Sequence, residues 1–238
     1  TGGNPEAGFN YMLKAGFGAA KILELKWGPF DGDVITVIVG KGNNGGDGLI
    51  TALQLKELGA HVEVLLTNHP ENFSGEALMA WKHYHESGLK WSLWEGNAFN
   101  WEESEIIVEA ILGSGAQGEV RPILDPLLFS IQEASDEGVF LYCIDQPCGR
   151  LEADATALLG YARWEAIDPQ TAEPFGEVGV VDLEYPETLT REILGIGVGA
   201  KILDPQWYLA FLPLRDRFGD KRAHGTGLLV AGGQYMGG

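Results

Sequence analysis

Nine residues, Gly40-Lys41-Gly42-Asn43-Asn44-Gly45-Gly46-Asp47-Gly48, constrain this chain more than any other stretch. Before them stands Val34-Ile35-Thr36-Val37-Ile38-Val39, an apolar run that reads as a strand buried on both faces. After them, residues 49–58 place their apolar side chains mostly on one helical face, and Gly59 supplies a C-terminal stop. A strand, a glycine loop and a helix in that order aim free backbone N–H groups and a helix N-terminus at an anion. A phosphate-bearing ligand is therefore expected, with Asp47 as the N-cap of a helix beginning near residue 48.

Gly40, Gly42 and Gly45 also satisfy the G-x-G-x-x-G fingerprint of dinucleotide sites. That fingerprint calls for an acid about 20 residues on, at the end of the next strand, to hold a ribose. Here the next strand, His61–Leu66, ends in Thr67 and Asn68, and its acid, Glu63, lies inside it. The pattern thus departs from that of an ordinary dehydrogenase.

Composition narrows the partners. The 238 residues are 45% hydrophobic, enough for a full core, and carry a formal charge of −18. Such a chain is expected to avoid nucleic acid and anionic membrane surfaces. An acidic nucleotide must then be met by local positive potential from backbone N–H groups or a bound cation. No apolar stretch approaches the ~20 residues that span a bilayer, and no secretory signal is visible. Two cysteines, Cys143 and Cys148, do not make a disulfide scaffold, so a cytoplasmic location is the default. The first residue is Thr1 rather than Met, and an upstream part is expected to be absent or removed.

Strand and helix patterns alternate along the chain. Residues 10–25 read as a helix whose Gly16 and Gly18 allow close packing. Ser74 can cap a helix that runs to Ser87, and residues 89–94 alternate as a half-buried strand would. His83 and His85 have no partners at ligand spacing. A strand at 105–112 runs into a second glycine-rich loop, Gly113-Ser114-Gly115-Ala116-Gln117-Gly118-Glu119, and a helix follows through about Ser135. Residues 139–144, apolar on both faces, deliver Asp145-Gln146-Pro147-Cys148-Gly149 to a strand's carboxyl end, where open α/β sheets bind ligands. The expected architecture is a doubly wound, Rossmann-like three-layer sandwich: a largely parallel sheet with helices on both faces. Partial desolvation should raise the pKa of Asp145; alternatively, its carboxyl caps the turn through Pro147 and Gly149. Cys143 reads as core, and no histidine is placed to activate Cys148 as a nucleophile. Gly195, Gly197 and Gly199 read as a loop, without a capped helix to make a second phosphate site.

The nine-residue run closely resembles the glycine-rich signature of the NAD(P)H-hydrate epimerases, the YjeF N-terminal domain family. Met12-Leu13-Lys14-Ala15-Gly16 is similar to the family's early L-M-E-x-A-G helix, with Leu13 in place of the glutamate. The segment from Glu109 to Gly115 resembles D-A-x-x-G-x-G, with Glu109 for the aspartate. Asp145 to Gly149 resembles D-x-P-S-G, with Cys148 for the serine, and Ala153-Asp154-Ala155-Thr156 resembles A-D-x-T. Residues 176–182 look like the family's closing strand. Residues 221–233 resemble the opening of an ADP-dependent NAD(P)H-hydrate dehydratase domain. The implied organisation is an epimerase-like domain over residues 1–212 and a dehydratase fragment over 213–238, too short to bury a core.

The resemblance implies an isomerase that interconverts the R and S forms of hydrated NADH or NADPH. Asn43, Asn44, Gly45, Gly46 and Asp47 would hold the nucleotide, and the loop from Gly113 to Glu119 would wall the pocket. A potassium ion would be held near Asn44, Glu109 and Cys148, the last through its backbone carbonyl because a thiol is a soft, poor partner for it. Asp145 is the candidate general acid–base. A dinucleotide-dependent oxidoreductase and a non-catalytic nucleotide-binding or scaffold domain remain as rival readings. Oligomeric state stays open, a homodimer being one option.

Overall fold

The computed structural model describes residues 5–96, 99–116, 120–186 and 188. The chain divides after Tyr185 into two compact units, and every element and cavity of the fold described belongs to the first. The expected boundary near residue 212, the loop at 195–199 and the dehydratase-like stretch at 221–233 lie outside the described residues.

Strand β1 (Val34–Val39) is the seam of a seven-stranded sheet. Beside it run β2 (His61–Leu66) and β3 (Trp91–Leu93) on one side. On the other side are β4 (Ile106–Ala110), β5 (Phe140–Ile144), β6 (Ala155–Leu159) and β7 (Glu177–Val181). The order is β3-β2-β1-β4-β5-β6-β7 and every pairing is parallel. Hydrophobic runs without polar alternation account for this, because a parallel sheet is covered on both faces. On β1, Ile35, Val37 and Val39 join one core while Ile38 joins the other.

Three helices cover the first face: α1 (Pro5–Trp27), α2 (Asn43–Glu57) and α3 (Gly75–Glu86). Ala19, Leu23, Leu49, Ile50, Trp81 and Tyr84 are buried there. Helix α4 (Asp125–Asp136) covers the opposite face with Leu127, Leu128 and Ile131. The three-layer architecture expected from the alternating pattern is thus observed. No helix among the described residues is long and apolar enough to cross a membrane.

Two local expectations are corrected. Helix α2 begins at Asn43, inside the glycine loop, with Gly42 as its N-cap. Asp47 is therefore not the cap but lies in the helix's second turn, and its backbone carbonyl accepts the Thr51 hydroxyl at 2.8 Å. Strand β3 has only three residues, and Trp91 and Ser92 are exposed at the sheet's edge. The Gly16 expectation holds: a Cβ there would stand 2.5 Å from that of Ile50, so α1 and α2 meet through glycine.

Candidate functional site

The strand order places β1 beside β4, so the loops that leave their carboxyl ends diverge and open a crevice. This cavity, of about 560 Å³, is lined by Gly42, Asn43 and Asn44 from the first loop, and by Gly113, Gly115 and Ala116 from the second. Thr67 and Asn68, at the end of β2, form one side, and Asp145 forms part of the wall. Gln117, Gly118 and Glu119 of the second loop lie outside the described residues. A smaller cavity of about 270 Å³ has an apolar wall of Met12, Leu159, Leu183 and the paired rings of Tyr11 and Tyr185, 5.1 Å apart. Asn43, Asp47 and Asp145 line both.

The first turn of α2 faces the larger cavity through Asn43 and Asn44. Its leading N–H groups have no intrahelical acceptor, and no side chain caps them. Lys41 and Arg121 also line the larger cavity and bring positive charge to an otherwise acidic chain. Neither was singled out in the sequence, although Lys41 stands within the signature and Arg121 follows the second glycine loop.

Three glycines of the first loop are closely packed by their neighbours. A Cβ on Gly40 would collide with the Ile111 carbonyl, and one on Gly45 with the Gly40 carbonyl. A Cβ on Gly46 would stand 2.5 Å from the Met12 methyl and 3.2 Å from the Ala77 Cα. Gly46 is thus where α2 meets α1 and α3. Gly42 alone has open space around it.

Asp145 is fixed on two sides. Its backbone has φ of 70°, a left-handed conformation unusual outside glycine. The Ser114 backbone N–H donates to Oδ2 at 2.5 Å. The Arg163 guanidinium donates to Oδ1 at 2.6 Å and, through its second nitrogen, to the Asp145 carbonyl. The carboxyl is 12% exposed, so desolvation is accompanied by a charged partner that the sequence did not reveal. The alternative role, capping the turn through Pro147 and Gly149, is not observed: the donors come from other loops. Across the junction of the two cavities, burial pushes the Asp47 carboxyl well above the usual carboxylate range, and the charge of Asp145 adds to that.

The donors expected to hold potassium divide. Asn44 suits the role: its Nδ2 donates to the Ile144 carbonyl at 3.2 Å, and its buried Oδ1 has no partner. Glu109 does not, because its two oxygens already accept the N–H groups of Ile111 at 2.7 Å and Cys148 at 3.0 Å. Burial pushes the Glu109 carboxyl up to about 7, despite those bonds. Burial likewise pushes the Cys148 thiol up to about 12, leaving a neutral, soft donor for a hard cation. Of the three side chains, Asn44 is the one that offers an open oxygen, and among the described residues no group of three or more His, Cys, Asp and Glu could hold a metal.

Comparisons with known proteins agree with the fold. The family described as "YjeF-related protein N-terminus" matches residues 9–171. A "Bifunctional NAD(P)H-hydrate repair enzyme Nnr" of Coxiella burnetii is 31% identical over 242 residues, covering 97% of this chain and 47% of the relative. An "NAD(P)H-hydrate epimerase" of Nitrosopumilus maritimus is 33% identical over 172 residues, covering 68% of this chain and 66% of the relative. This chain therefore spans about half the length of the bifunctional relative. A crystal structure of the yeast protein YNL200c shares the fold, with a TM-score of 0.54 at 19% identity over 66% of this chain and 72% of that one. The chain belongs to the family of YjeF-related protein N-terminal domains.

Proposed function

We propose that the chain is an isomerase of nicotinamide nucleotide repair, interconverting the R and S forms of hydrated NADH or NADPH. The relatives named as NAD(P)H-hydrate epimerases support that reaction class. The observation that carries it is the position of Asp145 and Asp47 at the junction of two adjoining cavities, one lined by the two glycine loops and one by paired tyrosine rings. The larger cavity suits the diphosphate and ribose, with the α2 N–H groups, Lys41 and Arg121 facing the charge. The smaller, aromatic cavity suits the hydrated nicotinamide ring.

The chemistry needs one proton given and one recovered. Protonation of the ring hydroxyl lets it leave as water, while the ring nitrogen's lone pair forms a C=N bond and the ring becomes a cation. Water then adds to the opposite face of that carbon and returns the proton, so atoms and charge balance. Asp145 is the group proposed to give and take back that proton. Asp47, whose carboxyl burial pushes well above the usual carboxylate range, lines the same floor. No step is routed through potassium.

The buried, unbonded Cys143 and Cys148 favour a reducing, cytoplasmic setting. The test is direct: separated R or S hydrated NADPH is mixed with the protein and isomer composition is followed by chromatography. Approach to the equilibrium mixture faster than in buffer is expected. A rate equal to that in buffer would leave a nucleotide-binding domain without this catalysis.

A further inference from the structure

We propose that Arg163 is a positioning residue for the epimerisation: its guanidinium grips both the carboxyl and the backbone carbonyl of Asp145 and fixes the angle at which that carboxyl meets the bound ring. The inference rests on the proposed epimerase function.

Arg163 lines neither cavity of the site, so it acts through Asp145 rather than on the ligand. One guanidinium nitrogen holds Oδ1 at 2.6 Å and the other holds the carbonyl of the same residue. The two bonds together constrain χ angles and backbone at once, which a single-point cation cannot do. The backbone they hold has φ of 70°, where an L-residue persists only if its surroundings over-determine it. On the far side of the carboxyl, Ser114 N–H takes Oδ2, and Gly113 packs so closely that a Cβ there would be 2.7 Å from that oxygen. The carboxyl is thus clamped between the loop after β4 and the connection from β6 to β7.

The connection that carries Arg163 is itself braced. The Trp164 indole donates to Asp168 at 3.0 Å, the Thr171 hydroxyl donates to the Glu165 carbonyl at 2.8 Å, and Ala166 is buried. The Arg163 side chain is only 25% exposed. A braced loop is what a positioning role requires, because freedom in the loop would be passed to the carboxyl.

The experiment compares Arg163→Met, Arg163→Lys and Asp145→Asn, singly and with Arg163→Met combined with Asp145→Asn, by kcat and KM for epimerisation. Arg163→Met is expected to lower kcat by about 10-fold or more at nearly unchanged KM, as misorientation of a reacting group does. In the Asp145→Asn background the same change is expected to add less than about 2-fold, because its effect passes through that carboxyl. Wild-type kcat in Arg163→Met, or a full additive loss in the double variant, overturns the inference. Thermal melts check folding; if the Met variant folds poorly, Arg163→Lys is decisive, since it keeps the charge and loses the two-pronged grip. A reduced kcat in the Lys variant, at native melting temperature, supports the role, and native kcat overturns it. Absence of turnover by the unaltered protein would overturn the epimerase reading itself, and this inference with it.

Discussion

Glu109 Oε2 accepts the backbone N–H of Cys148 at 3.0 Å, tying the end of β4 to the loop that follows β5. The other oxygen accepts Ile111 N–H, so one fully buried carboxyl organises two loops of the site.

That arrangement has a pH signature. Burial raises the folded-state pKa of Glu109 from 4.5 to about 7, so the folded state holds its proton more tightly than the unfolded chain. The associated stability is fully present below about pH 4.5 and is lost as pH rises through about 7, a span worth on the order of 3 kcal/mol. Asp47, raised in the same direction, adds to the trend. Glu109→Gln is expected to flatten the Glu109 part of this slope in urea denaturations at pH 5 and pH 8. It should also cost about 1–3 kcal/mol at pH 5, because a Gln amide N–H₂ would face one of the two backbone donors. Equal pH slopes in the two proteins would show that Glu109 does not titrate in this range.

Asp145→Asn keeps the acceptor oxygen and the side-chain size but cannot exchange a proton. A fall of about 10²-fold or more in epimerisation rate is expected, with nucleotide affinity nearly unchanged by calorimetry. Turnover at the native rate would make Asp145 a structural residue and leave the proton to water.

The loop glycines separate packing from binding. Gly46→Val would drive a branched side chain into Met12 and the Ala77 backbone, and a loss of about 1–3 kcal/mol or more in urea unfolding is expected. Gly42→Ala meets open space and should leave stability within about 0.5 kcal/mol of native. A native unfolding midpoint in the Gly46 variant would contradict the close approach of α2 to α1 and α3 at this residue.

Cation dependence follows from the donor set. Because Glu109 is already bonded on both oxygens and Cys148 offers a neutral thiol, NADPH affinity and turnover should be the same in potassium and in tetramethylammonium at equal ionic strength. A marked preference for potassium, with a site constant measurable by titration, would mean that Asn44 and backbone carbonyls suffice to hold the ion.

Much of the fold was legible because its signals are local. Residues 34–39 and 139–144 lack polar alternation, which only a strand covered on both faces tolerates, and both became inner strands. The start of α2 was not legible. Asn-Asn-Gly-Gly is a poor helix former, yet it is helical here because Gly45 lies under the Gly40 carbonyl and Gly46 against Met12. Tertiary packing overrode propensity, and with it went the assignment of Asp47 as a cap. Arg163 was invisible for a different reason. It lies 18 residues from Asp145, beyond β6, and no periodicity links the two. The place of Asp145 was legible, because it directly follows a doubly buried strand and so stands at that strand's carboxyl end.

The order of strands carries a consequence for how the molecule assembles. Strands β1 to β3 and helices α2 and α3 are joined by neighbouring connections, whereas β1 meets β4 only across a separation such as Ile35 to Ile106. Loop closure of that length is slow compared with local pairing. The amino-terminal part can therefore take shape first, with β4 joining β1 afterwards and β5, β6 and β7 adding beyond it. The crevice exists only once that closure is complete, so any ligand seated in it would latch a joint that forms late. Pulsed hydrogen exchange during refolding should find the amides shared by β1 and β2 protected before those shared by β1 and β4.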